Sequence, residues 1–417
     1  MTFRFILKHK PTYAKIILEL IDNQKRITHL DTNLVIKGHM WDDLKERPKN
    51  IYLKKFKKLN VFLDRIRITV ASYFKEVKVR SKALSLSSLS RRIKKVVTCK
   101  NQKYKQGSLL NHINNYINSR QHIISQITYR RYKVFFRLIE RFEGHEMRNY
   151  MIEEVNADFV KQFLKFGEKE FYSRSTLHRT IYFIRTILNF LERRGIRTFV
   201  YELELPKEKK QKKNFVILSE IELSKIRDLE VPKELNSAKD WLVISCYLGQ
   251  RFSDFMSFNI SMLEVIHNRQ CISFMQQKTG KNVILPLHPI VRSLISKNKG
   301  FPLKLSLDTY NKQIKEIVRL AGIKTQVYIR KRFGFRSKLV TIDKCNAITS
   351  HIGRRSFASN FYGKIPTALL MDATGHGTEQ MFNRYISNFD TERVKLLSNY
   401  FEDNFNNKNF SDLILIK

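Results

Sequence analysis

Acidic residues are scarce in this 417-residue chain: 38 Asp and Glu stand against 78 Lys and Arg, a formal net charge of +40. An excess this large, spread along the chain, predicts a polyanionic partner. Duplex DNA comes first, because neutralising phosphates releases counterions and gives binding that weakens steeply with salt. The alternative is a compositional bias toward lysine. Cysteine is nearly absent too. Cys99, Cys246, Cys271 and Cys345 lie far apart with no C-x-x-C pair, which excludes a disulfide framework and a zinc site and suits a reducing cytoplasm. Long apolar runs are missing: Met1 to Phe5 opens no signal-like segment, and no later stretch approaches the roughly twenty apolar residues of a membrane span. A soluble, cytoplasmic protein without membrane contact is expected. What is present is 42% hydrophobic residues, enough to bury real cores in two or three domains.

The chain opens with stretches rich in β-branched and aromatic residues, Thr2 to Lys8, Tyr13 to Ile21 and Arg26 to Ile36, with a turn at Asp22 to Lys25. From Ile51 the pattern becomes helical, with Leu59, Leu63, Ile66, Val70 and Phe74 at three- and four-residue spacing. Residues 1–77 are therefore expected to form a small α+β module. Between Lys78 and Lys105 there is no acidic residue and the centre is Ser-rich, so 78–107 reads as a basic linker, lying on phosphates or simply solvated. Residues 108–205 read as a helical bundle of four or five helices. Leu177, Ile181, Ile184, Leu188 and Leu191 form its clearest stripe, after a cap at Ser175, with His178, Arg179 and Arg185 off that stripe.

Pro206 to Lys213 breaks the pattern with proline and repelling lysines, so 206–214 is expected to be an extended tether. A domain over 215–390 then opens with a capping box at Ser219 and Glu222. Trp241 to Leu248 predicts a buried helix that delivers Gly249 and Arg251 to its end. Cys271 to Met275 and Asn282 to Leu287 predict a hairpin whose tip carries Lys278 and Lys281. In the tail, 391–417, Val394, Leu397, Phe401 and Phe405 fall on one helical face. It packs either on its own domain or on a neighbouring protomer.

The densest chemistry lies between Asn346 and Ser387. His351 and Arg354 sit three apart, His376 lies in a Thr-Gly-His-Gly turn, and Tyr385 follows nine residues later. Such groups suit work on a phosphodiester: a guanidinium bonds phosphate oxygens bidentately, imidazole moves protons near neutral pH, and a phenol oxygen can attack phosphorus. With Arg251 and Lys278 upstream, the order Arg, Lys, His-x-x-Arg, His, Tyr resembles the catalytic set of the tyrosine recombinase (phage integrase) family. The likeness is strongest over the C-terminal half.

That resemblance implies a multidomain, mainly α protein: a small α+β N-terminal domain, a helical core-binding domain, and a mixed, mainly-α catalytic domain with a small β-sheet. It also implies a site-specific DNA recombinase, the integrase of a mobile element. Tyr385 would form a 3′-phosphotyrosyl intermediate, Arg251 and Arg354 would clamp the phosphate, and Lys278, with Lys281 as rival, would protonate the leaving oxygen. His351 would act as base, His376 would bond a phosphoryl oxygen, and Asp254 would orient its neighbours. No cofactor or metal is implied. Partners would be double-stranded DNA, three further copies in a tetramer, and accessory DNA-bending proteins. The first module resembles an arm-type DNA-binding domain, including the Trp41-Asp42 step after its third strand. An invertase, a resolvase or a non-catalytic DNA-binding protein of this fold are the alternatives. Gln250 and Thr374 depart from the family pattern, and neither is expected to touch a reacting group.

Overall fold

In a computed structural model, the β-branched stretches at the start of the chain become strands β1 (Thr2–Lys8), β2 (Ala14–Ile21) and β3 (Ile27–Ile36), within a residue of the extents the sequence predicts. The structure describes residues 2–386 apart from 9–12, 23, 50–52, 82, 99–103, 205–214 and 334–335, together with Ser398. The lysine-rich stretch expected as a tether and the apolar face expected in the tail therefore lie outside the described residues. Two compact units make up the chain, one of residues 1–209 and 332–337, the other of 210–331 and 338–417.

In the first unit the three strands form an antiparallel sheet in the order β1-β2-β3. The central strand is buried on both faces, which accounts for its unbroken apolar run. Short strands β4 (Trp41–Asp42) and β5 (Arg47–Pro48) lead into helix α1 (Lys54–Val79). Its Leu59, Leu63, Ile66, Val70 and Tyr73 share one hydrophobic cluster with Ile16, Leu18 and Leu20 of β2.

The reading of 78–107 as a linker is corrected by helix α2 (Leu86–Thr98), which buries Leu89 and Ile93 in that same cluster. Burying the two side chains is worth about 3–6 kcal/mol, whereas repulsion among exposed cations costs tenths of a kcal/mol per pair. The acid partner that the segment itself lacks comes from α1, where Glu76 binds Arg92 at 2.9 Å. Nor does the sheet-and-helix module stand apart from the bundle. Helix α1 packs on helix α4 (Gln126–Glu146), with Arg65 bonded to Glu140 at 2.9 Å and Arg47 paired with Asp64 beneath.

Helices α3 (Leu109–Ser119), α4, α5 (Ala157–Lys169) and α6 (Arg174–Glu192) form a four-helix bundle around Ile113, Ile117, Phe142, Phe163, Ile181 and Ile184. Two details differ from the sequence reading of α6. Its cap is Ser173, which accepts from the Thr176 amide, and His178 is buried with the apolar stripe rather than off it. Burial pushes the carboxyl of Glu143 on α4 up to about 8. Its Oε1 accepts from the Tyr150 amide at 3.2 Å, and Oε2 is buried without a partner among the described residues, as suits a protonated acid. The folded state thus keeps a proton that the unfolded chain releases above pH 4.5, so stability declines as pH rises from there to about 8. Glu143→Gln is expected to remove this decline. In thermal melts its advantage over the wild type grows between pH 5 and pH 8, and parallel curves for the two proteins would refute it.

The second unit is organised on helix α8 (Lys233–Leu248), every residue of which from Ala238 to Leu248 is buried. A helix apolar on all sides needs a jacket. Here it is surrounded by α7 (Glu220–Asp228), α10 (Pro289–Lys297), α11 (Leu307–Leu320) and α13 (Ile352–Phe361). The capping box on α7 forms as the sequence predicts, with Glu222 accepting from the Ser219 amide and Ser219 from the Glu222 amide. Strands β6 (Leu263–Ile266), β7 (Arg269–Met275) and β8 (Asn282–Pro286) make an antiparallel sheet, preceded by the short helix α9 (Phe252–Phe255). The paired strands β9 (Gln326–Phe333) and β10 (Arg336–Asp343) and the turn of helix α12 (Lys344–Ala347) lead to α13. Helices α14 (Thr367–Thr374) and α15 (Glu379–Phe382) follow, then a single 3₁₀ turn, Asn383–Tyr385. Among the described residues no helix is long and apolar enough to cross a membrane.

Candidate active site

The end of α8 sets the first arginine. Gly249 adopts φ +67° to stop the helix, and a Cβ there would lie 2.4 Å from Phe357 Cδ1 on α13, so only glycine permits both the turn and the contact. Two residues on, Arg251 sits at the start of α9 with its side chain mostly covered, donating from Nη1 to Gln276 Oε1 at 2.8 Å. Asp254 Oδ2 lies 3.8 Å from the same Nη1, while Asp254 Oδ1 accepts from the Gln277 amide at 3.0 Å. The acidic partner thus faces Arg251 and the lysine hairpin.

Helix α13 carries the His-x-x-Arg pair. His351 stands exposed at its start, and Arg354, one turn in, is 1% exposed. The guanidinium donates from Nη1 to Gly249 O at 3.1 Å and from Nη2 to Thr374 O at 2.7 Å and His376 Nε2 at 2.9 Å. Its Nε is buried without an acceptor among the described residues. Burial, then the charge of Arg251, pushes Arg354 down to about 10, still fully charged at neutral pH.

His376 follows Gly375, whose φ of +68° closes α14. Thr374 Oγ1 donates to Leu370 O at 2.6 Å and lies 2.7 Å from His376 Nδ1. Because Nε2 accepts from Arg354, the proton belongs on Nδ1. Burial first, then the charges of Arg354 and Arg251, drives this imidazole down to about 3, so it is neutral at any physiological pH. Tyr385 completes the group. Its ring lies 4.9 Å from that of His376 and 5.4 Å from Arg354 Cζ, and its backbone carbonyl accepts from Ser359 Oγ of α13 at 3.3 Å.

Lys278 and Lys281 lie on the β7–β8 turn, closed by Gln276 N to Lys281 O at 2.9 Å and Gly280 N to Gln276 O at 2.8 Å. Lys281 pairs with Asp372 at 3.7 Å, whereas Lys278 is exposed with no ion pair among the described residues. His351 connects these cations. Loss of hydration comes first, then the charges of Arg355, Arg354, Arg251 and Lys278, and together they hold its pKa below the ordinary imidazole value.

Of the six residues singled out from the sequence, Arg354, His376 and Tyr385 are in contact, Arg251 is joined to them through Gln276 and Thr374, and the charges of Arg354, Arg251 and Lys278 act on His351. The sequence reading missed three groups. Gln276 lies fully buried between Arg251 and Thr374. Thr374 bonds both His376 and Arg354, contrary to expectation, whereas Gln250 bonds Leu248, Ala373 and Gln276 and touches none of the six candidates directly. Gln276 could have been flagged only by its place two residues before the lysine. Among the described residues no cluster of His, Cys, Asp and Glu could hold a metal ion.

Residues 108–196 match the family model described as the phage integrase SAM-like domain. No curated protein matches the chain. Among solved structures it is similar to the XerH site-specific recombinase bound to a palindromic difH substrate, at TM-score 0.50 and 13% identity, covering 82% of this chain and 97% of that one. It is also similar to the Tn1549 transposon integrase in complex with transposon right end DNA, at TM-score 0.49, 14% identity, and 69% and 97% coverage. A lambda integrase dimer bound to a COC′ core site matches at TM-score 0.46, 17% identity, and 67% and 95% coverage. The chain therefore shares its fold with the XerH site-specific recombinase, and residues 108–196 match the phage integrase SAM-like domain.

Proposed function

We propose that this chain is a site-specific tyrosine recombinase, the integrase of a mobile element, which cuts and rejoins duplex DNA through a 3′-phosphotyrosyl intermediate. The observation that carries this reading is the convergence of two arginines, two imidazoles, a lysine and Tyr385, drawn from residues 251 to 385, on one place in the second unit. The Tyr385 oxygen bonds to phosphorus as the bond to the 5′ oxygen breaks. The phenolic proton passes to His351, whose depressed pKa keeps it neutral and able to accept. Lys278, exposed on its turn, protonates the departing 5′ oxygen. Arg251 and Arg354 stabilise the charge on the non-bridging oxygens. Rejoining is the reverse, with the 5′ hydroxyl displacing the phenol, so no external energy source is needed.

DNA is the partner because the net charge is +40 and basic side chains are exposed in both units. On α6, Arg179, Tyr182 and Arg185 are exposed opposite the buried stripe, as a backbone-tracking face requires. The sheet with α1, now extended to Thr98 by α2, is assigned to arm-type sites, and four copies act on two duplexes with accessory DNA-bending proteins. Nicked suicide substrates cut from the DNA flanking the gene test the reading. A covalent protein–DNA adduct whose peptide map places the nucleotide on Tyr385 is expected. Tight binding without any adduct would leave a non-catalytic DNA-binding protein.

A further inference from the structure

Gln276 fills all four of its hydrogen-bonding positions although it is fully buried. Oε1 accepts from Arg251 Nη1 and from Thr279 Oγ1, each at 2.8 Å, while Nε2 donates to Gln250 Oε1 at 3.2 Å and Thr374 O at 3.1 Å. Gln250 is pinned in turn, donating to Leu248 O at 2.8 Å and Ala373 O at 2.6 Å. The Thr374 carbonyl that receives Gln276 also receives Arg354. One carboxamide therefore touches the first arginine, the lysine turn through Thr279, and the acceptor shared with the second arginine.

The chemistry of the side chain fits this place and few others would. A carboxamide offers two acceptors and two donors without charge. A carboxylate could serve Arg251 and Thr279, but would set an anionic oxygen against the Thr374 carbonyl and cancel the charge of Arg251. An apolar side chain would leave Arg251 free to swing. Space is equally restrictive: a Cβ on Gly375 would lie 2.6 Å from the Gln276 amide, so the turn before His376 is packed directly on this group.

We propose that Gln276, braced by Gln250, is a positioning residue: it fixes Arg251 and sets the register of the Lys278 turn against Arg354 and His376 before DNA arrives. This rests on the recombinase reading. Misplacing a clamping group by about 1 Å costs about a hundredfold in rate even when binding is intact. The distinction from a residue that merely holds the fold is that the loss runs through Arg251.

The test uses the full chain, the nicked half-site and single-turnover cleavage, with affinity measured on the same DNA. Gln276→Met keeps length and removes all four bonds. It is expected to slow cleavage about a hundredfold while affinity, set by many phosphate contacts, changes less than about threefold. In an Arg251→Lys background the same change should cost only the several-fold loss that runs through Thr279 and the lysine turn, because the larger part, through Arg251, is already gone. Thr279→Val, at an exposed position, severs one bond without opening the core and should slow cleavage several-fold. A Gln276→Met rate near wild type, equal losses in both backgrounds, or, where Gln276→Met does not fold, an unchanged rate for Thr279→Val would overturn the proposal. A wild-type chain that forms no adduct would defeat the recombinase reading and this proposal with it.

Discussion

Replacing Tyr385 with phenylalanine should abolish the covalent protein–DNA adduct while leaving DNA affinity and melting temperature close to wild type. The aromatic ring, which packs against His376 and lies beside Arg354, is retained, and what the change removes is the hydroxyl with its interaction with the Arg354 guanidinium. The backbone of residue 385 stays anchored by Ser359 to α13, and Phe382 and Ile386 on either side remain buried. On the proposed mechanism, only the oxygen that attacks phosphorus disappears. Affinity rests on many phosphate contacts, of which one phenol is a small part. Denaturing gels with labelled suicide substrate read the adduct, and native gels read the binding. An adduct that persisted in the phenylalanine variant would move the nucleophile elsewhere, with Tyr362, in the same small hydrophobic cluster, next to examine.

Most of what the sequence revealed was periodic or chemically conspicuous. Strand β2 stood out nearly whole and helix α8 by its apolar second half, Trp241 to Leu248, while its first half from Lys233 carries too many polar residues to show, and the capping box of α7 needs only residues three apart. The candidate groups stood out because Arg, His, Lys and Tyr in a fixed order have few other reasons to occur together. What escaped reading depends on closure between distant parts of the chain. Gln276 meets Thr374 across 98 residues, and Arg65 meets Glu140 across 75, so neither pairing leaves a local pattern.

Helix α2 escaped for a different reason. Its charge run masked two apolar residues, Leu89 and Ile93, four apart on one face, and its ion-pair partner Glu76 lies on another helix. The consequence reaches function, because the first module now shares a polar seam with α4, where Arg65 serves the buried Glu140. Charge density alone is therefore a poor guide to a linker when an amphipathic stripe runs beneath it.

Arg354→Lys should be the most damaging single conservative change in the second unit, and damaging in two ways at once. The guanidinium bonds Gly249 O from one nitrogen and Thr374 O and His376 Nε2 from another, a spread that matches a rigid planar fork. A lysine ammonium is a single point at the end of its stem and cannot sit at both ends of that spread. At least one buried acceptor loses its donor, at a cost of about 1–3 kcal/mol, so the melting temperature falls by several degrees. His376 changes as well. Burial is the larger cause of its low pKa, but the Arg354 charge adds to it. A displaced cation and a vacated Nε2 let the imidazole titrate closer to its ordinary range. On the proposed mechanism chemistry suffers most, because the two-donor contact to the developing phosphorane charge would be lost, and a missing donor of this kind costs about a hundred- to a thousandfold in rate. Arg251→Lys serves as the control, since Arg251 makes one hydrogen bond to Gln276 and is less deeply buried, so cleavage falls with little change in melting. Single-turnover cleavage, thermal melts and the histidine NMR titration are the three measurements. An Arg354→Lys protein that cleaves near the wild-type rate would refute the fork, and one that melts normally but fails to cleave would confine the role of Arg354 to phosphate.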